Sequence, residues 1–144
     1  MHDITIEPFR REKHLSLVEK WWALYYDGDV FPDYCVPENG VVAVNEGRVI
    51  GSIFLYINDS DLAHMAFPII DPDVSIREKI EVMSCLVEGG TEEAKKKLGE
   101  KAVIFAITHN RSVGSALKKS GFEDNDTMKT FAYAVGDADI EFLE

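Results

Sequence analysis

The residues able to move a proton or hold an anion are few in this 144-residue chain. His64 lies in the run Leu62–Ile70 (LAHMAFPII). An imidazole titrates near pH 6.5, so His64 is a candidate general base toward an ammonium group. A half-buried strand histidine bonded to a neighbour would read the same way. His109 precedes Asn110 at the end of the apolar run 101–108 (KAVIFAIT), and strand carboxyl ends favour ligand sites. A loop histidine in solvent fits that position equally. None of the four histidines has a histidine four residues away, so no His-based metal site is expected. Cys35 and Cys85 form neither a zinc set nor a disulfide framework, and neither has the cationic surroundings of a nucleophile.

Anion-binding groups cluster after Ile70. Ser75-x-x-Glu78 is a capping box that opens a helix, and a helix N-terminus favours anions. Ser75, Ile76, Arg77, Glu78 and Lys79 are therefore candidates for holding an anion, although Glu78 already places one there. Asn110 and Ser112 open a second helix, which Gly121 closes. Segment 27–40 (DGDVFPDYCVPENG) carries two Gly, two Pro and four acids. It reads as a loop with one short helical turn. Phe31 and Tyr34 sit among those acids, which suits a binding loop for a cationic amine as well as a solvated connection.

Periodicity supplies the elements that must position these groups. Residues 3–9 alternate as a first strand ending at Pro8. Residues 12–26 have the 3–4 apolar spacing of an amphipathic helix, with Trp21, Trp22, Tyr25 and Tyr26 expected in the core. Val41–Val44 and Val49–Ile57 are strands around an Asn45–Arg48 turn. In Leu62–Ile70, Pro68 cannot donate to a ladder, so a bulge or a lost neighbour is expected there. A helix over 76–98 carries Gly89-Gly90. The run 101–108 reads as a central strand covered on both faces. A helix over 112–119, a strand over 127–135 and a peripheral acidic tail (136–144) complete one domain over 1–144.

Composition bounds the function. Hydrophobic residues make up 46% and charged residues 28%, which suits a globular chain. The net charge of -11 argues against nucleic acid or an anionic membrane as partner. No run approaches a membrane span of about 18 residues. No signal-type apolar core opens the chain, and a cytoplasmic location is expected. The sequence leaves the oligomeric state open; the apolar Phe142-Leu143 pair in the acidic tail is a candidate docking point for a partner, a homodimer included.

The element order, together with the hairpin VVAVNEGRVIGSIFLY and the spacing from Asn110 to Gly121-Phe122, resembles the GCN5-related N-acetyltransferase (GNAT) superfamily. The resemblance implies an α/β fold with a mixed, mostly antiparallel sheet flanked by helices and splayed fourth and fifth strands. It implies acetyl-CoA as cofactor, with backbone N–H near Ile69 or Ile70 polarising the thioester. It further implies an amine-bearing small molecule, protein N-terminus or lysine as acceptor. Two positions depart from the family. Segment 72–80 has no glycine where the family's diphosphate loop has several, and Leu117 stands where much of the family has a tyrosine acting as general acid. The combination is similar to small phage-encoded GNAT-like proteins, which would place the chain in host cytoplasm or virion. The departures open a second reading, a catalytically inactive GNAT-fold binding or virion-associated protein.

Overall fold

Period-two alternation and tight turns build the sheet. In a computed structural model, which describes residues 3–108 and 110–124, strands β1 (Ile4–Pro8), β2 (Asn39–Asn45), β3 (Arg48–Ile57) and β4 (Leu62–Ile70) pair antiparallel in chain order. Strand β5 (Val103–Phe105) joins β4 in parallel. The β2–β3 turn needs two positive φ angles, and Glu46 (52°) and Gly47 (77°) provide them. His109, the strand expected at 127–135 and the tail lie outside the described residues.

Alternate residues of each strand feed two cores, one per face. On one face Val41, Ala43, Ile53, Leu55, Met65 and Ile70 pack against helix α2 (Ile76–Leu98) and helix α3 (Arg111–Lys119). Val82, Leu86, Val87 and Ala94 supply the buried stripe of α2, each larger side chain worth about 1.5–3 kcal/mol of burial. On the other face Val42, Val44, Phe54 and Ile69 meet Val18, Trp21 and Trp22 of helix α1 (Arg11–Tyr25), with Phe31.

The helix ends follow from their caps. Ser75 accepts from the Glu78 N–H (3.2 Å), Asn110 Oδ1 accepts from the Val113 N–H (3.1 Å), and Gly99 closes α2 at φ 93°. At the start of α1 the cap is a buried imidazole: His14 Nδ1 accepts from the Arg10 N–H at 2.9 Å. His14 is 2% exposed, and its Nε2 finds no partner among the described residues.

Two expectations need correction. The run at 101–108 forms a strand of only three residues, the last of the described sheet, and one of its faces is open where coverage on both was expected. Val103 (59%), Phe105 (39%) and Ile107 (45%) are exposed, because only the Ile104 side meets the α2–α3 core. Of the α1 aromatics Trp21 and Trp22 are core, but Tyr25 and Tyr26 lie at the helix's C-terminal end and are exposed.

Gly89 lets α2 lie close to β1. A Cβ there would meet Ile6 Cγ2 at 2.6 Å and Ile6 Cβ at 3.1 Å, and a Cβ so near its own backbone has little room to yield. Overpacking of this kind costs about 1–3 kcal/mol, against a helix-propensity gain of about 1 kcal/mol. Gly89→Ala should therefore lower the urea midpoint, whereas Ile6→Ala in the same chain should reverse that loss in a double-mutant cycle.

Candidate functional site

The site begins where two neighbouring strands separate. β4 pairs with β5 at Leu62↔Val103, Ala63↔Ile104 and His64↔Phe105, and at no later residue among those described. On its other edge β4 stays with β3 to Ile70, through one irregularity: Ser52 faces Ile69, but Phe54 faces Ala66. Phe67 and Pro68 thus oppose the single residue Ile53, a β-bulge, and Phe67 takes the left-handed φ of 53°. Such a conformation is costly for a bulky residue. Aromatic packing holds it: Phe67 meets Phe31 at 5.0 Å, Trp22 at 6.1 Å and Tyr56 at 6.1 Å, all edge-on.

Beyond the bulge the register decides which main-chain groups face the gap. The Asp71 N–H donates to the Ile50 carbonyl (2.9 Å). By antiparallel alternation Ile69 is likewise bonded to β3, while Ile70 turns its N–H and C=O away from β3. The Ile70 carbonyl is claimed by α1: Tyr25 donates its hydroxyl to it at 2.7 Å. Lys79 Nζ lies 5.6 Å from the centre of the Tyr25 ring. Of the two amides expected to polarise a carbonyl, the one directed into the gap is Ile70.

His64 occupies the last paired position, at the apex of the gap. Its ring stacks on Phe105 (4.5 Å, 4° between planes) and lies 5.9 Å from Tyr56 on β3. Burial holds its pKa below the ordinary 6.5, so at neutral pH the imidazole is unprotonated and can accept a proton. Beside it is an open cavity of about 390 Å³ walled by Tyr34, Cys35, Val36, Pro37, Tyr56, His64 and Phe67. The loop wall is pinned twice. Arg11 donates to the carbonyls of Val36 (3.0 Å) and Asp33 (2.9 Å), and the Tyr56 hydroxyl donates to the Cys35 carbonyl (2.9 Å). Burial first, and then the charge of a Cys35 thiolate nearby, push the Tyr56 pKa up; burial also raises that of Cys35.

The structure therefore brings His64 and Tyr34 to one cavity and puts Ile70 along the gap that ends there. Phe31 stands behind that wall, 1% exposed in the aromatic core, and supports Phe67 rather than facing solvent. Ile69 is buried in the same core. Ser75, Ile76, Arg77, Glu78 and Lys79 form the first turn of α2 and its cap, at the far end of the gap. Asn110 and Ser112 start α3, where the Asn110 side-chain oxygen is engaged by the cap. Tyr56, Arg11, Phe67 and Tyr25 were missed. Tyr56 was not legible: counting back from the Asn58–Asp61 turn pairs it with Ala63, whereas the observed register is shifted by one and sets it opposite His64. Arg11 and Tyr25 act across tertiary contacts that no spacing records.

No protein-family profile matches the sequence, and no curated protein matches it. Solved structures do. One is a ribosomal-protein-alanine N-acetyltransferase from Brucella melitensis biovar Abortus 2308, with 13% identity over 92% of this chain and 100% of that one, TM-score 0.64. A second is the aminoglycoside N-acetyltransferase AAC(6')-Iy in complex with CoA, with 14% identity over 94% and 97%, TM-score 0.61. A third is a GNAT-family acetyltransferase from Streptococcus pneumoniae TIGR4, with 16% identity over 92% and 100%, TM-score 0.58. The chain has the GNAT fold.

Within the GNAT fold the two sequence departures acquire physical form. Leu117 is 8% exposed in the α2–α3 core, so no proton donor stands at that position. At the start of α2 the Glu78 N–H is engaged by Ser75, whose hydroxyl also donates to the Glu78 carboxylate at 3.2 Å. Ile76 is 81% exposed. The preceding turn is acidic and closed on itself. Asp71 takes the Asp73 N–H (2.9 Å) and pairs with Arg48 (2.5 Å). Burial works to raise the Asp71 pKa, but the Asp73 amide, Arg48 and Lys20 outweigh it and leave the group below its usual value.

Three groups make stability fall with acid. His14 is lowered by burial first, then by Lys13, and His64 by burial. The unfolded chain therefore binds more protons than the folded one once the pH drops below about 6.5. Stability should be level above about pH 7.5 and decline through about pH 6.5 and below. Asp71 extends the loss as the pH falls through the usual carboxylate value and on through its own lowered one. Urea midpoints across pH 4–8 check the slope, and His14→Gln should flatten its upper part; a midpoint rising on acidification contradicts the assignment.

Proposed function

We propose that this chain is an N-acyltransferase, moving an acyl group from a coenzyme-A thioester to an amine. The observation that carries the reading is the parting of β4 from β5. It leaves a main-chain-lined gap that ends at an unprotonated imidazole and a cavity. An extended amide-bearing arm can add to such an edge as a strand would. The fit at the gap is good: the Ile70 N–H faces it, and His64 closes it. The fit at the α2 start is poorer. Each residue there carries a Cβ, one amide is engaged by Ser75, and Glu78 adds negative charge, while Arg77 and Lys79 offset part of that charge. The fold's solved relatives, one holding CoA and others named for amine acceptors, support the same assignment.

Acetyl-CoA would supply the activated acyl group. The residues of this chain would do the rest. Ile70 N–H would orient and polarise the acyl carbonyl, a preorganised main-chain donor of the oxyanion-hole kind. The cavity beside His64 would seat the acceptor, and the His64 imidazole would take the proton its nitrogen gives up. Holding both reactants at one apex provides much of the rate without a general acid at Leu117.

Titration with acetyl-CoA and a thiol-release assay with an amine panel test the reading. Binding at micromolar to submillimolar concentration with amine-dependent CoA release is expected. His64→Ala should cut kcat by roughly 10²-fold or more and remove the acid limb of the pH profile. The double variant Ile76→Gly, Glu78→Gly should bind CoA more tightly. No binding at millimolar CoA and no turnover would reject the enzyme and leave a binding module on the same fold.

A further inference from the structure

We infer that the cavity beside His64 takes a primary amine carried on an aromatic ring or a comparably flat apolar group, and discriminates against polycationic or polyhydroxylated acceptors. The inference deepens the proposed function, on which its catalytic part rests; the binding class stands on the cavity alone. At about 390 Å³ the space is near the small end for ligand pockets. It suits one ring and a short chain and is tight for a multi-ring polyamine. Its wall is apolar and aromatic: Val36, Pro37 and Phe67, with the rings of Tyr34, Tyr56 and His64.

Charge sharpens the choice. No carboxylate lines the cavity among the described residues. Desolvating an ammonium ion costs several kcal/mol unless it is paired, so a polycation loses more here with every charge it brings. A single amine is different. Ring faces attract one ammonium group, and the imidazole can accept its hydrogen bond. The acids that would attract a cation, Asp27, Asp29, Asp33 and Glu38, are exposed on the loop outside the wall. With the net charge of -11 they raise the encounter rate of any cationic amine. Selection among amines is then left to the apolar wall.

The wall also holds its shape before a ligand arrives. Arg11 and Tyr56 pin the loop carbonyls, and the bulge is held by its aromatic neighbours. Preorganisation of this kind lowers the cost of binding. Tyr34 is the member best suited to a test, since at 64% exposure its truncation should leave the fold intact.

The experiment titrates the full chain with 2-phenylethylamine, spermidine and sisomicin, each with and without acetyl-CoA. Calorimetry and the His64 ring-proton resonances report binding, and thiol release reports transfer. The inference expects 2-phenylethylamine to bind at least tenfold more tightly than either polycation and to move the His64 resonances. Tyr34→Ala should weaken that binding about tenfold, and Tyr34→Phe should preserve it. Tighter binding of spermidine or sisomicin, no binding of 2-phenylethylamine, or indifference to Tyr34→Ala would each overturn it. Transfer to spermidine but not to 2-phenylethylamine would sink the inference and leave the acyltransferase standing. Binding of 2-phenylethylamine with no response to acetyl-CoA would do the reverse.

Discussion

A strand that leaves its neighbour must still account for its main-chain polar groups, and that constraint organises this molecule. β4 runs beside β5 for three residues and then continues with one edge unpaired by any strand among the described residues. Each buried group left without a partner costs about 1–3 kcal/mol, and an open edge invites pairing with another chain. The fold limits the exposure. The bulge at Phe67 and Pro68 removes one donor and bends the edge, and the Tyr25 hydroxyl takes the Ile70 carbonyl. Both faces of β4 are covered, by Met65 and Ile70 under α2 and by Ile69 under α1. What remains is a short, walled stretch of main chain.

The aromatic residues have a related structural task. Trp22, Phe31 and Tyr56 pack edge-on around Phe67 or one another, and Phe54 lies tilted against Phe31. Edge-to-face pairs add about 0.5–1.5 kcal/mol each beyond their burial, enough together to hold a non-glycine residue at positive φ. Two of these rings, Tyr56 and Phe67, also line the cavity beside His64. Core packing and a ligand wall are thus two sides of one layer.

The sequence carried most of the element list because its signals are local. Alternation, turn glycines, the Ser75 and Asn110 caps and the α2 stripe each act within a few residues, and the observed bounds lie within two positions of the expected ones in every described element expected as a strand or helix except β5. Pro68 marked the bulge for the same reason: a missing donor is a local fact. The run at 101–108 misled, since an apolar stretch reports burial and not the number of covered faces. Phe31 and Tyr34 share one loop and one composition, yet the first is core and the second lines the cavity. Tyr25 and Arg11 were invisible as site-builders, because a hydroxyl reaching Ile70 from 45 residues away, or a guanidinium spanning 25 residues to Val36, leaves no periodic trace.

The most direct test of the parted sheet is residue-resolved amide hydrogen exchange along β4 by NMR, without and with acetyl-CoA. Ile69 and Asp71, bonded to β3, should exchange slowly in both conditions. Ile70, turned into the gap, should exchange much faster alone and slow down when acetyl-CoA is added. Equal, strong protection of all three amides in the chain alone would mean that the edge is already paired, and the account of the gap would be wrong.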